Sequence, residues 1–138
     1  MAVYLPVVEA RAPSLLIVRY EWPHLLLPEW QGELVAMSRA ASERGPVGLV
    51  FVLADRICEV SPAVRGFWRK VVCEPVSRVA AMAIVSGSWA VEVEAMGFAE
   101  TTGRLGAAVR IATFGDEADG VEWAAQAVRS VRPTWGGA

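Results

Sequence analysis

The chain has 138 residues, 54% of them hydrophobic and 20% charged, with thirteen basic against fifteen acidic residues and a net charge of −2. This composition excludes a disordered chain, and it gives no electrostatic reason to expect nucleic acid, which calls for a basic face. The length suits one domain with a full core, expected over residues 1–133 with a tail at 134–138.

No apolar run approaches the ~20 residues needed to cross a bilayer, so membrane insertion is not expected. Met1-Ala2-Val3-Tyr4-Leu5-Pro6 lacks the basic start of a secretory signal, and the expected location is cytoplasmic. Cys58 and Cys73 have neither CxxC spacing nor a histidine cluster beside them. They read as reduced, buried thiols, and no metal or other cofactor is expected. The single His24, in Trp22-Pro23-His24-Leu25, is too isolated for a triad or a zinc site.

Val3–Ala10 and Ser14–Tyr20 predict a hairpin joined by Arg11-Ala12-Pro13, with Pro6 confining the first strand to an edge. Pro23 closes the second strand, because the residue before a proline is biased away from helix. Pro28 and Glu29 suit the first turn of a helix. Trp30, Leu34, Met37 and Ala41 then recur on one apolar face, and Gly45-Pro46 stops the helix.

Val47-Gly48-Leu49-Val50-Phe51-Val52-Leu53-Ala54 is apolar on consecutive residues, the pattern of a strand covered on both faces, and is expected at the centre of the sheet. After Asp55 and a loop, Ser61-Pro62 predicts a helix start: a side-chain cap, then a residue with φ already set. Val64, Phe67, Trp68, Val71 and Val72 form its apolar stripe, and Pro75 ends it. Val79–Val85 is a second covered strand. Ser88 caps the next segment, where Val91-Glu92-Val93-Glu94 alternates like a strand; its place after a covered strand favours a helix ending near Thr101–Gly103. Ala108–Phe114 reads as the last strand. Asp116 caps a final helix whose buried face is Val121, Ala124, Ala125 and Val128 and which Pro133 terminates.

The order is β-β-α-β-α-β-α-β-α. Alternation of strands with helices implies an α/β fold with a mixed, mostly parallel sheet and an antiparallel N-terminal edge. With the residues Gly45–Leu53, Arg78–Ser86, and Val109–Phe114 followed by Asp116-Glu117-Ala118 and Trp123-Ala124, this order resembles the STAS domain, the SpoIIAA-like fold of bacterial anti-sigma factor antagonists. It is more similar still to the small SpoIIAA-like or STAS/SEC14-like bacterial proteins. The likeness spans about residues 14 to 130. It implies a regulatory module that docks to another protein, with a serine phosphorylated at the start of the helix after the central strand. Here that place reads Glu59-Val60-Ser61-Pro62-Ala63, without the aspartate and glycine of the antagonists.

Candidate sites are accordingly few. Ser61 is accounted for by capping alone, and with Arg65 and Arg69 it is the candidate for phosphorylation and docking. Arg65, Arg69 and Lys70 form a modest basic face that reads first as a solvated surface. Asp55, although it sits where ligands of open α/β folds gather, reads as a loop cap because no second polar group converges on it. Among six tryptophans, Trp22, Trp30, Trp68 and Trp89 are candidates for a ligand or partner surface. Neither a phosphate loop nor a nucleophile–base set is legible, so no enzyme is expected. The expectation is a non-enzymatic module that binds another protein, with a second copy of itself as a further candidate partner. The alternative is a carrier or sensor that holds a small hydrophobic, lipid-like ligand between sheet and helices.

Overall fold

The computed structural model describes residues 6–11, 14–73, 78–106 and 109–135, with side chains described to residue 131. Five strands, β1 (Val7–Arg11), β2 (Leu15–Tyr20), β3 (Val47–Leu53), β4 (Val79–Val85) and β5 (Arg110–Phe114), lie side by side in chain order. β1 is antiparallel to β2, and every later pair is parallel. The helices are α1 (Gly32–Ser42), α2 (Pro62–Cys73), α3 (Trp89–Arg104) and α4 (Glu117–Trp135), with two 3-10 turns at Pro23–Leu26 and Pro28–Trp30. The element order and the mixed sheet agree with expectation, and β3 is the third of five strands.

Strand partners fix which side chains share a face. One face carries the rows Ala10, Leu16, Leu49, Met82, Ile111 and Val8, Val18, Phe51, Ile84, Thr113. The other carries Glu9, Ile17, Val50, Ala83, Ala112, flanked by rows through Gly48 and through Arg19, Val52, Val85 and Phe114. Each crossover steps to the neighbouring strand in the same direction. Because such crossovers are right-handed, they put α1, α2 and α3 on the first face. Leu34 of α1, Val64, Trp68, Val71 and Val72 of α2, and Val91, Ala95 and Phe98 of α3 bury there. α4 follows the last strand and returns across the second face, where Ala124, Ala125 and Val128 meet Leu15, Ile17, Val50 and Ala83.

α4 lies close to the sheet because small residues line both sides of the contact. A Cβ on Gly48 would come within 2.7 Å of Leu15 Cδ2 and 3.0 Å of Val128 Cγ2; one on Gly120 would come within 2.8 Å of Val85 Cγ2. The first face is thicker and aromatic. Phe51 stacks on Trp68 with ring centres 5.1 Å apart, and Tyr20 and Phe98 meet this pair edge-on.

Several expectations need correction. The helix assigned to Pro28 onward is a 3-10 turn followed by α1 from Gly32, because Gln31 (φ −112°, ψ 20°) leaves the helical region. Its side chain turns inward, accepting from the Tyr20 hydroxyl and donating to the Leu26 carbonyl. α4 continues to Trp135, two residues past Pro133; the hydrogen bond forfeited by the missing N–H and the crowding of the ring fall in the last turn, where little helix is left to disrupt. Cys58 and Cys73 are exposed, not buried: the loop before α2 buries Ile57 and Val60 instead, and Cys73 ends its helix on the solvent side. Residues 3–5, 12–13, 108 and 136–138, and the expected stop at Pro75, lie outside the described residues.

Candidate functional site

In a parallel sheet the loops after the strands collect at one edge, and here they bring three helix starts together. Each start is capped by a side chain. Ser61 Oγ accepts from the Val64 N–H at 3.3 Å, Ser88 Oγ from Val91 N–H at 3.4 Å, and Asp116 Oδ2 from Asp119 N–H at 3.3 Å. Ser86 Oγ also accepts from the Ser88 N–H at 3.0 Å. A cleft of about 240 Å³ opens between the ends of β4 and β5 and the start of α3, lined by Ser86, Gly87, Glu92, Thr113 and Gly115 among others. On the other side of this edge the Arg56 guanidinium sits 4.3 Å over the Trp22 ring, and Asp55 lies against Gly87.

A second and larger hollow, about 310 Å³, runs between α2 and α3 on the outside of the helical layer. Pro62, Arg65, Gly66 and Arg69 form one wall, and Gly97, Phe98 and Thr101 the other. It starts one residue from the Ser61 cap. A Cβ on Gly66 or Gly97 would meet nothing within 4 Å, so the furrow is open at both glycines. Arg65 Nη1 is 3.0 Å from Glu94 Oε2, an ion pair that ties α2 to α3, while its Nε is buried without a hydrogen-bond partner. Arg69 is exposed.

The shifted titrations lie away from both hollows. Burial pushes the Tyr20 phenol well above its ordinary range; the Trp68 indole beside it stays outside hydrogen-bond geometry. Arg19 bridges Glu117 (2.8 Å) and Glu9 (2.9 Å), which raises its pKa further and lowers that of Glu9. Among the described residues no group of three or more metal-ligating side chains gathers, and no helix is long and apolar enough to cross a membrane.

Arg65 and Arg69 therefore line one furrow, with Ser61 next to its first lining residue, Pro62, whereas the four tryptophans do not form one surface. Trp68 is 1% exposed and belongs to the core, which corrects its place among surface candidates; its position in the stripe Val64, Trp68, Val71 dictates burial. Trp30 is half-buried against His24, with ring centres 5.4 Å apart. Trp22 and Trp89 are exposed at separate strand ends. Gly66 and Gly97 are the furrow residues that no sequence motif marks. An isolated glycine inside a helical pattern is the available signal for such a furrow. No family model matches this chain, and neither a curated protein nor a solved structure is detectably similar to it.

Proposed function

We propose that this chain is a non-enzymatic interaction module of the STAS, SpoIIAA-like kind, which seats an acidic segment of a regulatory protein in the furrow between α2 and α3. The furrow itself carries the reading. It is open where two glycines face it, it has Arg69 exposed on one wall and Arg65 half-buried beside it, and it begins at a serine-capped helix end. The strand order adds support: an antiparallel first strand, then parallel strands in sequence, with the serine-capped helix after the central one.

Phosphate on Ser61 would add a charge of about −2 at the mouth of the furrow. It would sit favourably at the positive end of α2 and repel an acidic occupant, so modification turns docking off. A lipid-like ligand between sheet and helices is the weaker reading, because Tyr20, Phe51, Trp68 and Phe98 already fill that layer.

The test is affinity capture from the source cells, comparing the wild type with Arg69→Glu, Gly97→Leu and Ser61→Asp. Asp is itself a good cap, a glycine replaced in a helix gains propensity, and Arg69 is exposed, so all three variants should fold. The expected result is a protein retained by the wild type and lost from all three. If every captured protein is held equally by Arg69→Glu and Gly97→Leu, the furrow is not the docking site; if only Ser61→Asp still binds, the switch is wrong.

A further inference from the structure

The two edges of the sheet differ in how they are protected. β1 is guarded: Glu9 pairs with Arg11 at 2.6 Å and Arg19 at 2.9 Å, so charge lines the outer strand. Edge strands that must not pair with other chains are commonly blunted in this way. Among the described residues β5 has no ion pair of this kind, and its one charge is Arg110 at its start. Among the described residues it pairs only with β4, its sequence is Arg-Ile-Ala-Thr-Phe, and four of its five side chains are only half-buried.

Beside β5, α3 presents Trp89 (76% exposed), Val93 (45%) and Met96 (60%) at spacings of four and three, one apolar stripe facing outward. Its buried face is Val91, Ala95, Phe98 and Thr102, so this stripe contributes nothing to the chain's own core. Leu105, in the turn leaving α3, is 62% exposed as well.

We propose that two copies of this chain associate about a two-fold axis at Ala112, β5 pairing antiparallel with itself while the Trp89–Met96 stripes of the two α3 helices pack together. The occupant is argued from self-complementarity. With Ala112 opposite Ala112, Ile111 faces Thr113 of the second copy, a β-branched pair of the kind that stabilises sheets. Arg110, whose guanidinium lies 5.8 Å from the Trp123 ring centre of its own chain, faces Phe114 of the second copy, whose ring lies 5.4 Å from its own Trp123, so each guanidinium sits between aromatic rings of both copies. No like charges stand directly opposite. The same operation on β1, centred at Glu9, would set carboxylate against carboxylate. The axis also makes the two α3 helices antiparallel, which carries Arg104 at the end of one toward Glu92 at the start of the other. A free edge and the exposed stripe of the helix packed beside it are then satisfied by a single closed, isologous contact.

Native mass spectrometry and sedimentation of the full chain over a dilution series should show a monomer–dimer equilibrium. Trp89→Glu and Val93→Glu lie on solvent-exposed positions of α3 and should weaken the dimer at least about tenfold, ~1.4 kcal/mol, with an unchanged circular dichroism spectrum. Location is read by a short bismaleimide on Ala112→Cys in a Cys58→Ser, Cys73→Ser background. Crosslinked dimer is expected from Ala112→Cys and not from Val7→Cys on the opposite edge. A chain that stays monomeric at all concentrations overturns the proposal, and so does a dimer that crosslinks through Val7→Cys. A loss of dimer with Arg69→Glu would likewise overturn it, by placing the contact in the α2–α3 furrow.

Discussion

The two faces of the sheet solve the same burial problem with different materials. Three helices cover the first face, and between them and the strands lies a layer of large rings, with Trp68 stacked on Phe51 and flanked by Tyr20 and Phe98. One helix covers the second face, and it approaches through alanine and glycine, with Gly48, Ala83 and Ala112 on the sheet against Gly120, Ala124 and Ala125. The thick face gains from buried area and is vulnerable to cavities. The thin face gains from close approach and is vulnerable to added bulk. A sheet flanked in this way has one side open to shrinkage and the other to overpacking.

The contrast is sharpest at Trp68 and Gly48. Trp68→Ala empties the centre of the aromatic layer and should cost about 3–5 kcal/mol in urea unfolding. Gly48→Ala adds a single methyl against Leu15 and Val128 and should cost about 1–3 kcal/mol, although alanine suits a strand at least as well as glycine does. A small-to-large change as harmful as the loss of an entire indole would mean that α4 cannot shift at all. A neutral Gly48→Ala would mean that Leu15 simply turns aside and the close approach is not limiting.

How far these faces were legible depends on the period of the signal. β3 and β4 are continuous apolar runs because both faces of the sheet are covered there, and the run itself said so. α2 was legible from its stripe, and the same stripe is a better guide to Trp68 than its aromatic character. In α3 the alternation Val91-Glu92-Val93-Glu94 points to a strand, yet only Val91 is buried while Val93 faces out; the position between two parallel strands decided the matter. The furrow was not legible. It depends on Gly66 and Gly97 facing one hollow from different helices, a long-range placement that no local pattern encodes. Gln31 was hidden for a similar reason, since its burial depends on the phenol of Tyr20 and the carbonyl of Leu26.

The helix caps give a finer comparison of the two faces. Ser61 starts α2 on the aromatic side and Asp116 starts α4 on the small-residue side, each through a hydrogen bond of 3.3 Å. Ser61→Ala and Asp116→Ala should each cost about 1 kcal/mol, measured in the same denaturant series, whereas Ser61→Asp should be close to neutral. If Ser61→Ala costs several times more than Asp116→Ala, the serine does more than cap. The docking role would then have to be separated from stability by repeating the capture experiment with Ser61→Asp alone.

The smallest effect concerns the seam where the thin face ends. There Arg19 of β2 bridges Glu9 of the edge strand and Glu117 in the first turn of α4. Hydrogen bonds from Arg19 and Arg11 hold the Glu9 carboxyl below its ordinary value of 4.5. A group whose pKa is depressed by folding stabilises the fold fully above its unfolded value, and that stabilisation fades as pH falls through the folded one. Wild type should therefore melt slightly above Glu9→Gln at pH 7, and the difference should vanish as the pH is taken well below 4.5. Raising the salt concentration at pH 7 should shrink the same difference, because the pair is only part-buried and solvent ions screen it. A difference that survives both acid and salt would assign Glu9 a packing role on the edge strand, and the guard over β1 would then not be electrostatic.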